Sequence, residues 1–260
     1  MTMDNMHSVY GPVASWRLGK SLGVDLICSE RKICSFDCIY CQLQKTKKIT
    51  SQKESFIDLN TVEKELREAL QKTKPDVITL SGTGEPTLSK DIYNAVAMIR
   101  KHTSLPVAIL TNSTMFSDKE VYEALLTLDI IVAKLDAPNE DIFQKINKPA
   151  KEITFKQTID GIKMLRNHFS GRFALQMMFM NENKAYVSEM ADLAREIKPD
   201  EVQINTPLRP CAVKPLTRLE IEEIEKEFRG LHTISVYKSQ KPTTDPLDKL
   251  EIFKRRRLVF

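Results

Sequence analysis

Three observations predict an α/β fold in the form of a partial (β/α)6 barrel. Apolar runs of strand length alternate with amphipathic segments of helix length along most of the 260 residues, the rhythm of parallel strands joined by right-handed helical crossovers. Six strand-then-helix units are legible, short of the eight that close a TIM barrel, so the curved sheet is expected to stay open. The composition, 42% hydrophobic and 28% charged, suits a chain with a packed core and excludes a disordered or fibrous one.

The first strand is expected over residues 22–27, ahead of a long loop that carries three cysteines. A helix follows from about Asn60, read as its capping residue, with Val62, Leu66 and Leu70 on one face; Lys74-Pro75-Asp76 stops it. Strand 77–80 leads to helix 90–102, and strand 107–110, set off by Pro106, to helix 118–128. Strand 130–135 precedes helix 155–169, strand 173–180 precedes helix 184–197, and strand 201–205 precedes helix 217–229. Thr217 with Glu220 three residues on reads as a capping box for the last helix. A further strand is expected over 233–237, followed by a polar stretch, 238–249, with two prolines. Residues 1–230 are assigned to the barrel and 231–260 to a C-terminal extension packing on or near it, since one α/β barrel commonly takes about 200 to 250 residues.

The net charge of +4, from 39 Lys and Arg against 35 Asp and Glu, forces neither a nucleic-acid nor a membrane partner. Two local basic segments stand out, Lys45-Thr46-Lys47-Lys48 and Lys254-Arg255-Arg256-Arg257. They read as solvated charge in a loop and a tail, or as contacts to a polyanion. The start, Met1 to Met6, shows no basic cluster and no apolar run, and no segment approaches the about 18 apolar residues of a membrane span. A cytoplasmic chain with no membrane partner is expected. In that reducing compartment five cysteines are poor evidence for disulfides.

Three of those cysteines crowd into Cys34-Ser35-Phe36-Asp37-Cys38-Ile39-Tyr40-Cys41. Thiolates hold iron-sulfur clusters, normally four per cluster, and close spacing lets one loop surround a single cube. Three ligands leave one iron open for a further ligand. Three alternatives compete, one of them a chance cluster of unliganded cysteines. Structural zinc wants four ligands, often in pairs, and the four histidines lie outside the loop without paired spacing. A ferredoxin-like electron carrier wants a fourth cysteine, and Cys28 lies upstream across a strand end.

Three cysteines with an aromatic residue just before the last, following a first strand, resemble the signature of the radical S-adenosylmethionine superfamily. The resemblance implies a partial barrel of that type, with Cys34, Cys38 and Cys41 holding a [4Fe-4S] cluster. The cofactor's amino and carboxylate groups would chelate the open iron. Reductive cleavage would then give methionine and a 5′-deoxyadenosyl radical that abstracts hydrogen, the cofactor doing the hard chemistry while the protein positions it. An external electron donor such as a ferredoxin or flavodoxin is implied, as is oxygen sensitivity.

Ser81-Gly82-Thr83-Gly84-Glu85-Pro86 follows the second strand, where the resemblance places a segment that binds the methionine amino group. Glycines there let the backbone approach a ligand, and Glu85 would bring negative charge to the ammonium. Tyr40, Gly82, Thr83, Gly84, Glu85, Asn112, Lys134 and Gln176 are the candidate cofactor-binding residues, with Asp136 and Cys211 as candidate catalytic ones. Thr111 and Asn205 join them at carboxyl ends of strands, the active face of such a barrel. Cys211 reads either as a small buried hydrophobe or as a thiol reaching the mouth as hydrogen donor or extra ligand.

A narrower resemblance, to small iron-sulfur oxidoreductases related to the wyosine-synthesis group, is carried by residues 10–13, 17–25, 134–137 and 205–210. Trp16 stands where a second arginine is expected, against an anion-binding role for that segment. Only Cys28 and Cys211 remain beyond the motif, too few for the second cluster of the wyosine enzymes. RNA or nucleoside modification, with tRNA as partner, is the leading expectation for the substrate. The alternatives are peptide or protein side-chain modification, small-metabolite chemistry, and an electron-transfer module that does not cleave the cofactor.

Overall fold

The computed structural model describes residues 6–255. Its frame is one eight-stranded sheet in which an antiparallel edge is followed by seven parallel strands. The edge is β1 (Val9–Ser15), paired with β2 (Gly19–Val24). A two-stranded ribbon, β3 (Ile33–Cys34) with β4 (Lys48–Ile49), lies outside the main sheet. Then follow α1 (Leu59–Lys72), β5 (Val77–Leu80), α2 (Ile92–His102), β6 (Val107–Thr111), α3 (Lys119–Leu125) and β7 (Ile130–Lys134). The remainder is α4 (Glu140–Asn147), α5 (Phe155–His168), β8 (Arg172–Met178), α6 (Val187–Ile197), β9 (Glu201–Asn205), α7 (Arg218–Glu227), β10 (Thr233–Ser235) and α8 (Lys249–Arg255). The order across the sheet is β1-β2-β5-β6-β7-β8-β9-β10.

Strand alternation separates core from cavity. In β8, Phe173, Leu175 and Met177 join the main core beside the helices, while Gln176 and Met178 line the concave side. In β9, Val202 and Ile204 are in the core and Asn205 faces the concavity. Removing each such core side chain from water contributes roughly 1.5 to 3 kcal/mol. Leu18, Val77 and Ala108 form a smaller apolar cluster with Leu110 and Ile130 packed against it.

The partial barrel is as expected, and several boundaries differ. The first parallel strand ends at Val24 rather than 27, because Asp25 turns its carboxylate back onto the backbone N–H groups of Ile27 and Cys28. The antiparallel β1 went unread: Gly11-Pro12 interrupts its alternation, and the pairing shifts register between Tyr10 and Val13. An edge strand tolerates such a proline because one side of its ladder needs no donor. Helix α1 is capped by Asp58, not Asn60; the Asp58 side chain accepts from Asn60 N at 3.1 Å. Helix α4 falls between the expected strand 130–135 and helix 155–169, and its cap, Asn139, accepts from Ile142 N at 3.1 Å. The Thr217–Glu220 capping box is present.

β10 pairs with β9, so residue 230 falls between α7 and a strand of the same sheet. Beyond it the chain returns to β1, where Leu247 N donates to Gly11 O at 2.7 Å, and ends its described course in α8. Arg255 there is buried rather than solvated. Arg256 and Arg257, like residues 1–5, lie outside the described residues. No helix among the described residues is long and apolar enough to cross a membrane.

Candidate active site

The cysteine loop leaves the carboxyl end of β2 and is closed at its base by the β3–β4 pairing. Asp37 anchors it twice: its N–H donates to Asn147 O at 3.0 Å and its Oδ1 accepts from Thr46 N at 2.7 Å. Phe36 packs edge-on against Phe143, with centroids 5.3 Å apart. Within this frame Cys34, Cys38 and Cys41 are free thiols lining one cavity of about 590 Å³. Burial pushes the Cys34 thiol far above its usual range and Cys38 up to about 11, partly offset in both by Lys32. Asn112 Nδ2 lies 3.6 Å from Cys34 Sγ, and Asn147 Nδ2 3.6 Å from Cys38 Sγ.

Lys32 is 2% exposed, and its Nζ is buried without a hydrogen-bond partner. Burial opposes its charge, yet Cys41, Cys34 and Cys38 together hold its pKa above the usual value. A buried ammonium is costly unless negative charge is nearby, and here three sulfurs supply it. Among the described residues no three His, Cys, Asp or Glu side chains converge on a single metal-ion position. A cube that takes one thiolate per iron needs its ligands spread apart. The sulfur-only donor set and the unpartnered ammonium fit such a cluster.

Ser81, Gly82, Gly84 and Glu85 line the same cavity. What the two glycines make room for is protein as much as ligand. A Cβ on Gly84 would collide with the Ile33 carbonyl, and one on Gly82 with the Asp25 carboxylate. Glu85 accepts from Thr87 N at 3.1 Å, Thr87 Oγ1 at 2.7 Å, Thr111 Oγ1 at 2.6 Å and Asn112 N at 2.7 Å. Burial raises its pKa against those bonds.

The Radical SAM superfamily matches residues 32–194, the stretch from the cysteine loop through α6. The chain belongs to the Radical SAM superfamily. It is 39% identical over 238 residues to a UPF0026 protein of Synechocystis sp., covering 91% of this chain and 85% of that one. It is 37% identical over 222 residues to a GTPase Obg of Brachyspira hyodysenteriae, covering 84% of this chain but spanning only 32% of that protein. Among solved structures, Streptococcus suis SuiB bound to precursor peptide SuiA superposes with a TM-score of 0.62 at 15% identity, over 78% of this chain and 48% of SuiB. Radical SAM enzymes use a [4Fe-4S] cluster and S-adenosylmethionine, and the half-barrel with its cysteine loop is the fold they share.

Of the radical SAM site residues expected from sequence, Cys34, Cys38, Cys41, Tyr40, Gly82, Gly84, Glu85, Asn112, Lys134 and Gln176 all line the cavity. Three others lie off the cavity lining. Asp136 is buried behind the cavity wall, where it accepts the Tyr40 hydroxyl, Met178 N at 2.9 Å and Asn147 Nδ2 at 3.1 Å. Thr83 turns away to Asp25, donating its N–H and hydroxyl to Oδ2, both at 3.0 Å. Cys211 packs against the apolar cluster beneath the cysteine loop, its Sγ directed at Val213 O, and does not line the cavity. Sequence reading missed Lys32, Tyr10, Arg17, Arg209 and Arg255, all on the cavity. Lys32 stands two residues before Cys34, and Tyr10, Arg17 and Arg209 fall in the segments that carry the narrower resemblance.

Proposed function

We propose that this chain cleaves S-adenosylmethionine reductively and uses the product to activate a C–H bond of a substrate seated in the cavity. Three free cysteines on a single wall, beside a buried ammonium with no other partner, carry this reading. Cys34, Cys38 and Cys41 would hold the cluster. When bound, the cluster and S-adenosylmethionine supply one-electron cleavage of the sulfonium, with methionine and an adenosyl radical as products.

The chain's own groups divide the remaining work. Glu85 and the backbone of residues 81–84 receive the ammonium end, and the bonds from Thr87, Thr111 and Asn112 keep the Glu85 carboxylate in place. Lys134, 4.8 Å from the Tyr40 ring centroid, offers positive charge to a carboxylate. Gln176 and Asn112 add polar contacts on the same wall. Asp136 orients Tyr40. The polar strap of 238–249 and α8 crosses toward β1 and limits the entry of water.

The reductant is an external one-electron donor such as a ferredoxin or flavodoxin. For the substrate, the exposed Lys45, Lys47 and Lys48 beside the cysteine loop support RNA, in line with the wyosine-group resemblance. With Arg255 internal, the second basic segment lends that reading less. A peptide remains the second reading, supported by the precursor peptide held in SuiB.

The test is anaerobic reconstitution with iron and sulfide, addition of S-adenosylmethionine and dithionite, and mass spectrometry for 5′-deoxyadenosine. Its formation, abolished by alanine at any of the three cysteines, is the expected result. A loaded cluster with bound cofactor and no 5′-deoxyadenosine would leave an electron-transfer role instead.

A further inference from the structure

The cysteine loop has a second face, outside the cavity, and positive charge gathers there. β3 is flanked on both sides: Ile33 bridges Gly84 of the glycine-rich segment on one and pairs with Lys48 of β4 on the other. β4 is therefore the outer strand of the ribbon, and both of its residues are exposed, Ile49 at 46%. Ile49 lies opposite Cys34 in the pairing. One strand spacing, about 4.8 Å, thus separates the backbone of a cluster ligand from an apolar side chain on the surface.

Two separate parts of the chain bring lysines to this strand. Lys47 and Lys48 directly precede Ile49. Asp37 draws Lys45 and Lys148 together: its Oδ1 accepts from Thr46 N at 2.7 Å, and its N–H donates to Lys148 O at 3.1 Å. Lys151 arrives beside Glu152, whose carboxylate accepts from the Ser51 hydroxyl two residues past Ile49. All five lysines are exposed, and of the five only Lys48 has an ion-pair partner among the described residues, Glu54. The carboxylates of these segments, Glu54, Glu152 and the half-buried Asp37, are too few to cancel them. None of the five lysines lines the cavity.

A substrate has to enter the cavity to lose hydrogen, whereas an electron has only to cross the strand. A positive face outside the cavity, one strand from Cys34, is placed to receive electrons rather than to admit substrate. Resting on the enzymatic reading above, we infer that β4 and the turn after α4 form the docking face for the reductant, an acidic one-electron carrier protein such as a flavodoxin. A compact charged face suits redox encounters, which typically bury less than about 1,200 Å² and owe their speed to charge steering. In the docked pair the flavin hydroquinone anion gives up one electron and leaves as the neutral semiquinone. That electron reduces the cluster held by the three cysteines; no proton moves and no bond is made or broken.

Stopped-flow reduction of the anaerobically reconstituted, full-length protein by flavodoxin hydroquinone at low ionic strength tests this, alongside surface plasmon resonance with oxidised flavodoxin. The double variant Lys47→Glu, Lys148→Glu should slow second-order reduction and weaken binding, each at least about tenfold. Salt at about 1 M, which screens charge beyond roughly 3 Å, should erase both differences. Lys101→Glu, at an exposed lysine in the last turn of α2 before the start of β6, should change either by less than twofold. Photoreduced deazaflavin, which needs no docking face, should reduce the cluster to the same extent in every variant, so that a damaged cysteine loop is told apart from lost docking. The face is overturned if the double variant is bound and reduced as the wild type is, or if Lys101→Glu slows reduction as much. Transfer RNA binding that weakens in the double variant while the flavodoxin rate holds would overturn it in favour of RNA. Charge-dependent reduction in a protein forming no 5′-deoxyadenosine would strike the enzymatic reading and leave the docking face standing.

Discussion

Arg255 and Asp25 form an ion pair at 2.7 Å in which both side chains are shielded from solvent, 6% and 1% exposed. Asp25 also accepts from the N–H groups of Ile27, Cys28 and Thr83 and from the Thr83 hydroxyl. It therefore ties the end of β2, the glycine-rich segment and α8 to one carboxylate. Arg255 adds a stacking contact, its guanidinium carbon 4.2 Å from the Tyr10 ring centroid.

Arg255→Leu should destabilise the fold by about 2 to 3 kcal/mol. Removing one partner of a buried pair typically costs about 3 to 5 kcal/mol, and the four donors that stay on Asp25 reduce the loss. Urea unfolding of both proteins measures it, and a midpoint equal to that of the wild type would show that the pair does not hold α8 in place.

Lys32→Met should make the cluster harder to reduce. A buried positive charge beside three sulfurs favours the state with the added electron, so its loss is expected to lower the midpoint potential by about 30 to 60 mV, where about 59 mV is tenfold for one electron. Electron paramagnetic resonance during a redox titration without S-adenosylmethionine reads this directly. Lys32→Arg should restore most of the shift, and an unchanged potential in Lys32→Met would remove the role.

Gly84→Ala should lower both stability and iron content. The added methyl meets the Ile33 carbonyl in the bridge between β3 and the glycine-rich segment, and overpacking of this kind costs about 1 to 3 kcal/mol. Iron analysis after reconstitution, alongside a thermal melt, separates loss of the loop from global unfolding.

Glu220 supplies a stability term that depends on pH. Lys184, at 2.8 Å, and the Thr217 cap hold its pKa down to about 2 from an ordinary 4.5. A depressed folded-state pKa contributes stability above the unfolded value and loses it as pH falls through the folded one. Glu220→Gln keeps the capping geometry and loses only the charge, so it should melt below the wild type at neutral pH. The gap should narrow below pH 4.5 and close near pH 2. A gap independent of pH would assign the effect to packing.

Much of the architecture was legible because β5 is a short, nearly continuous apolar run and β9, placed without error, alternates apolar Val202 and Ile204 with polar neighbours, both between turn residues. The edge was not. β1 is broken by Gly11-Pro12, and α8 follows a polar, proline-bearing stretch, so neither shows a clean period. At the site, the cysteines and the glycine-rich segment announce themselves by spacing. Lys32, Arg17 and Arg209 do not, because a lone cation looks the same in sequence whether water or a cavity surrounds it. Asp136 shows the converse failure: its place after β7 suggested the mouth, whereas its bonds to Tyr40, Asn147 and Met178 turn it inward.

Asp25 and Arg255 are 230 positions apart, and that separation orders events in time. On a ribosome, the cysteine loop and the glycine-rich segment emerge long before α8 exists. The contact between the strap and β1, like the ion pair, therefore joins segments made at widely separated times. Until Arg255 is made, the Asp25 carboxylate has only its backbone and Thr83 donors to offset its burial.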